Sequence, residues 1–135
     1  MKQVKSCGGV VFRKGGKFLI IQNKEGKHWD FAKGRAEKGE TEEETAKREI
    51  KEEVNIEVKI IDGFKEYIKY KIPYANVEKT VVIFLCEALK EDVKIQDEEI
   101  SDYAWLEYEE AMKKLTHENP KNVLKKANEF LKKNI

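Results

Sequence analysis

Three carboxylates, Glu49, Glu52 and Glu53, stand at offsets of zero, three and four in the run from Lys47 to Val54. In a helix of about 3.6 residues per turn that spacing puts them on one face. Like charges placed this way repel and cost the helix stability, so a face that keeps them implies a positive partner. Hard divalent cations bind such sets of carboxylate oxygens. A cation there neutralises phosphate charge and makes water a better nucleophile near neutral pH. One of the glutamates can accept the proton that water gives up. The chemistry in view is hydrolysis of a phosphate-bearing substrate. The plain alternative is a solvated acidic face in a chain rich in Lys and Glu. Three features weigh against it: the ligand spacing, Arg48 inside the acidic run, and a glycine-bearing loop just upstream.

These side chains need a helix to carry them, and the sequence marks its ends. Thr41 and Glu44 have the spacing of a capping box. Ala46, Ile50 and Val54 supply an apolar face, and Asn55 suits a left-handed helix end. Gly34 lets the backbone turn sharply and bring the Lys33 carbonyl toward a metal. Glu40 can pair with Arg48 and tie the loop to the helix. Strands are expected at Val4–Phe12, Lys17–Gln22, Ile56–Ile61, Phe64–Ile72, Lys79–Ala88 and Tyr103–Leu106. Gly15-Gly16 turns the first hairpin, and His28–Ala32 is a short extended piece. Gly8 and Gly9 mark a bulge or a close approach to the backbone. A helix follows over Glu107–Leu115. Another opens at Asn119-Pro120, with Val123, Leu124, Ala127, Phe130 and Leu131 as its inward stripe. The pattern is a mixed α/β chain with helices on both faces of a sheet.

At 135 residues the chain is long enough for one domain with a real core, and its 40% hydrophobic content excludes a disordered chain. A net charge of +1 gives no general reason to expect a nucleic acid or a membrane as partner. No segment reads as a signal peptide or membrane span, so a soluble cytoplasmic protein is expected. Cys7 and Cys86 each sit in apolar runs and read as buried free thiols.

From Gly34 to Ile56 the fixed positions run G-x5-E-x7-R-E-I-x-E-E-x-N-I. This resembles the signature of the Nudix hydrolases, departing only at Asn55, where the family carries Gly. The resemblance implies a Nudix-type α/β/α sandwich with a mixed β-sheet and a catalytic loop-helix-loop, one domain over residues 1–135. It implies hydrolysis of nucleoside polyphosphates with magnesium, or manganese in its place. Glu49 then acts as base or metal ligand and Glu52 and Glu53 as metal ligands, while Glu40 and Arg48 support the site.

The flanking segments, from SCGGVVFR to DYAWLEYEEA, resemble asymmetric diadenosine tetraphosphate hydrolases within that family. Phe31-Ala32 replace the usual Pro-Pro before Lys33-Gly34, and the loop from Tyr70 to Lys79 reads as longer than usual. By this resemblance His28, Lys33 and Lys79 contact the polyphosphate, Tyr70 and Tyr103 sandwich an adenine, and Glu99 approaches the metal. Trp29 and Trp105 read as packing residues, and His117 as surface near a helix cap. The expected reaction is cleavage of diadenosine tetraphosphate to ATP and AMP, by a monomer or dimer. A nucleoside triphosphate pyrophosphatase, an RNA 5'-pyrophosphohydrolase and a non-catalytic nucleotide sensor are the alternatives.

Overall fold

In the computed structural model, which describes residues 1–134, seven strands and three α-helices form a mixed sheet covered on both faces. The strands are β1 (Lys2–Phe12), β2 (Phe18–Asn23), β3 (Trp29–Asp30), β4 (Lys33–Arg35), β5 (Val58–Ile72), β6 (Val77–Ala88) and β7 (Ile100–Leu106). The helices are α1 (Glu42–Val54), α2 (Tyr108–Lys114) and α3 (Glu118–Asn134).

The central strands are apolar on both faces, so their residues divide by parity between two cores. Val11, Leu19, Ile21, Val82, Phe84 and Cys86 pack with Ala46, Ile50 and Val54 of α1. Val10, Phe18, Ile20, Val81, Ile83 and Leu85 pack on the other face beneath α2 and α3. The expected stripe of α3 is confirmed, with Val123, Leu124 and Ala127 buried and Phe130 and Leu131 packed against them.

Parallel pairing of β1 with β6 runs the full length of β1. On its other edge β1 changes partner. Val11 pairs with Leu19 of β2, but Ser6, Cys7 and Gly8 pair with Arg35, Gly34 and Lys33 of β4. The sheet therefore splits between β1 and β2, and the segment from β3 to β4 fills the split. Gly8 makes this possible. A Cβ there would strike the Ala32 carbonyl and the Lys33 side chain, so the close approach expected at Gly8 is real.

Two expected features differ. Ile56–Ile61 and Phe64–Ile72 are not separate strands but parts of β5, interrupted by a register shift between Ile60 and Lys65. Gly63 sits there at φ 94, and a turn-like residue inside a strand is the mark of a bulge. The segment from Tyr70 to Lys79 is not a long loop. Both strands continue through it, Tyr70 pairs directly with Lys79, and a single 3-10 turn at Pro73–Ala75 closes the hairpin.

Candidate active site

Helix α1 begins and ends as its sequence dictates. The Thr41 hydroxyl accepts from the Glu44 N–H at 3.1 Å, and the Glu44 carboxylate accepts from the Thr41 N–H at 2.8 Å. Asn55 closes the helix at φ 59 in the left-handed region that Asn tolerates. Beyond it the segment before β7 folds back. The Lys94 and Gln96 N–H groups donate to the Val54 and Glu53 carbonyls at 3.0 and 2.9 Å. These are carbonyls that a helix end leaves without partners. The contact anchors the segment that carries Glu99.

Arg48 is the hub of the loop-helix unit. Its guanidinium grips both oxygens of Glu40 at 2.6 and 3.0 Å, donates to the Arg35 carbonyl at 2.9 Å, and reaches Glu49 and Glu52 at 3.2 and 3.1 Å. Glu40 also accepts from the Glu37 N–H and the Thr45 hydroxyl, at 2.8 and 2.9 Å. So surrounded, its carboxyl is pulled down to about 2, chiefly by Arg48. Glu40 is thus a fixed anion that holds Arg48 in place.

Glu49 and Glu53 face the opposite situation. Glu53 is 4% exposed, and burial, then the charges of Glu49 and Glu99, push its carboxyl up to about 8. Burial, then Glu52 and Glu99, also raises Glu49, against the pull of Arg48. The Glu49 carboxylate lies on the bare Cα of Gly34, where any Cβ would overlap it. Glu52 is exposed and turned toward Arg48. Among the described residues no three His, Cys, Asp or Glu side chains form a closed metal cage. Yet the charges of Glu49 and Glu99 raise the proton affinity of Glu53, and that of Glu99 raises Glu49. That excess of negative charge on oxygen donors fits a hard divalent cation.

Two hollows flank Lys33. One is a cleft of about 400 Å³ between the sheet and the start of α3, floored by Phe31, Ile68, Val81, Ile83 and Pro120, with Tyr70 and His117 on its walls. The other is polar and holds His28, Lys33, Glu98 and Glu99. The Lys33 ammonium is held by buried Asp30 at 2.7 Å. Lys79 is half-buried, and burial together with Lys33 and Arg35 lowers its pKa. Three cations crowded this way are suited to a polyanion.

Of the expected substrate residues, Lys33, His28 and Tyr70 line these hollows, Lys79 pairs with Tyr70 on the neighbouring strand, and Glu99 lines the polar hollow and acts on Glu49 and Glu53. Tyr103 does not join them. It pairs with Ile21 on β7, whereas Tyr70 is on β5, so the two tyrosines occupy opposite edge strands and line no common hollow. The ring that shares the cleft with Tyr70 in this structure is His117, expected from the sequence to be surface near a helix cap. Asp30 and Arg35 were missed too. Arg35 sits among the variable positions of the glycine loop, and the charge on Asp30 gives no sign of its burial.

A mixed sheet between helices, with a glycine-loop-helix unit presenting crowded glutamates and a braced arginine, is the arrangement of a Nudix hydrolase. The chain belongs to that family: the NUDIX domain model matches residues 2–127. It is 32% identical to the asymmetrical bis(5'-nucleosyl)-tetraphosphatase of Rattus norvegicus over 95% of each chain. The crystal structure of a C. elegans Ap4A hydrolase binary complex superposes with a TM-score of 0.87 at 31% identity, covering 96% of this chain and 98% of that one. An RNA pyrophosphohydrolase of Nitratiruptor sp. is 28% identical and covers 78% of this chain and 74% of its own.

Proposed function

We propose that this chain hydrolyses dinucleoside polyphosphates, cleaving diadenosine tetraphosphate to ATP and AMP. The observation that carries the reading is the placement of Lys33, which borders both an apolar cleft sized for a base and a polar hollow beside the glutamates. One adenine stacks in the cleft between Tyr70 and His117, since every base offers a π-face to an aromatic ring. The phosphates pass Lys33, Lys79, Arg35 and His28. Glu49, Glu52, Glu53 and Glu99, with the Lys33 carbonyl, would hold magnesium, or manganese in its place. When bound, such an ion neutralises phosphate charge and lowers the pKa of water.

The protein's own work is to place groups. Arg48 and Gly34 fix the Glu49 carboxylate, which takes a proton from the attacking water. That water forms a bond to phosphorus as the bridging P–O bond breaks, and the electron pair leaves with the departing nucleotide. Lysines and Arg35 stabilise the charge that collects on the leaving oxygen. No helix among the described residues is long and apolar enough to cross a membrane. Cys7 and Cys86 are buried free thiols, consistent with a reducing cytoplasmic setting.

The test is a hydrolysis panel with magnesium, containing diadenosine tetraphosphate, nucleoside triphosphates and triphosphorylated RNA, with products resolved and oxygen-18 water locating the cleaved bond. ATP plus AMP from the dinucleotide, at the highest kcat/KM of the panel, is the expected result. A higher value for nucleoside triphosphates or RNA would reassign the substrate.

A further inference from the structure

The chain has two histidines, and the fold brings them together: the rings of His28 and His117 lie 5.6 Å apart, tilted by 51°. The adjoining backbone fixes them. The Trp29 N–H donates to the Thr116 hydroxyl at 2.8 Å, and the Thr116 N–H donates to the Trp29 carbonyl at 3.3 Å. The Lys114 ammonium sits 4.3 Å from the centre of the Trp29 ring and closes the same junction from α2. His28 is also seated from behind, since a Cβ on Gly26 would lie 3.1 Å from its Nδ1. Its Nε2 side is thereby left away from Gly26.

We infer that His28 and His117 form a chelating pair for a zinc-class transition-metal ion, separate from the carboxylate site. Imidazole suits zinc, nickel and copper, whereas magnesium demands oxygen ligands. With Zn–N bonds of about 2.1 Å, two imidazoles sharing one tetrahedral ion bring their ring centres to roughly 5–6 Å. The observed separation of 5.6 Å falls in that range. Among the described residues no third His, Cys, Asp or Glu converges with the pair. Water completes the coordination, and the ion is exchangeable rather than structural. The pair stands where the polar hollow, lined by His28, meets the apolar cleft, lined by His117. If the nucleotide reading above holds, an ion there lies across the substrate's path and competes with it.

The test is a zinc titration of the full chain in excess magnesium, which occupies the carboxylates, followed by calorimetry and by the histidine ring resonances in NMR. One equivalent should shift both imidazoles together. His28→Ala and His117→Ala should each weaken zinc binding by at least the about 10–100-fold that loss of even an outer-shell partner costs. Movement of one imidazole alone in the unsubstituted protein would overturn the inference without recourse to any variant. Undiminished zinc binding in both folded variants would do the same. A rise in the KM for dinucleotide with zinc is expected too. Paired shifts without that rise would support the metal pair and count against the nucleotide reading of the cleft.

Discussion

The carboxylate of Glu49 occupies the space in which a side chain on Gly34 would begin. The loop glycine and the helix glutamate are therefore a fitted pair, and the glycine serves the site by lacking a Cβ rather than by any unusual φ. Gly34→Ala should displace Glu49 while leaving β4 intact, because alanine is at ease in extended backbone. A displacement on the order of 1 Å lowers kcat by about 10²-fold. The check is kcat beside thermal stability: kcat should collapse while Tm stays near the parent value. Unchanged kcat would show that Glu49 has room to spare.

Glu53→Gln separates chemistry from stability. The Glu53 carboxyl titrates at about 8 in the folded chain, above its ordinary value of 4.5. The sign follows from linkage. The folded state binds the extra proton, so the stability it confers is full below 4.5 and is lost as pH rises toward 8. In chelator the parent protein should therefore lose stability across that window, and the Gln variant should lose less. Magnesium should raise the parent's Tm at the alkaline end and do little for the variant, whose hydrolysis falls by at least the about 10–100-fold that loss of even an outer-shell partner of a metal site costs. Denaturant melts across pH, with and without magnesium, measure this directly.

Glu40 has the opposite sign. Its carboxyl is held at about 2, below the ordinary 4.5, so its stabilising contribution is present above 4.5 and disappears as pH falls toward 2. Arg48→Lys loses the two-pronged grip on Glu40 and should move acid unfolding to higher pH. The same variant should lower kcat, because Arg48 also steadies Glu49. An unchanged acid limb would refute the role given to this pair.

Tyr70→Ala and His117→Ala should each raise the KM for dinucleotide, in keeping with the loss of about 1–3 kcal/mol that removing a base-stacking ring entails. Tyr103→Ala should leave KM and kcat near the parent values. If Tyr103→Ala proves the damaging change, the cleft between β5 and α3 does not hold the base.

The chemistry of the site was legible because it is local. Thr41, Glu44, Arg48, Glu49, Glu52, Glu53 and Asn55 lie within a few turns of one helix, and helical spacing alone puts them on known faces. The two-faced core was legible for a similar reason, since alternation along β6 assigns Val81 and Val82 to opposite sides. The hollows are assembled from distant segments, so spacing along the chain names none of their residues, and Lys33, His28 and Tyr70 were expected only through the resemblance of the flanking segments. His117 reaches the cleft because the linker between α2 and α3 is pinned to Trp29, a contact no spacing rule foretells. Tyr103 and Tyr70 look equivalent as strand tyrosines, and only strand order puts them on opposite edges. Gly63 concealed the continuity of β5, because a bulge and a chain break have the same signature in one sequence.

The split between β1 and β2 has a consequence for descent. The glutamates belong to the layer on one side of the sheet and the apolar cleft to the layer on the other, with Lys33 bordering both hollows. If the cleft holds the base as proposed, substitutions in its wall change which nucleotide is admitted while the glutamate layer goes untouched. A lineage built on this plan can exchange substrates freely, and its narrowest constraint is the single residue at the join.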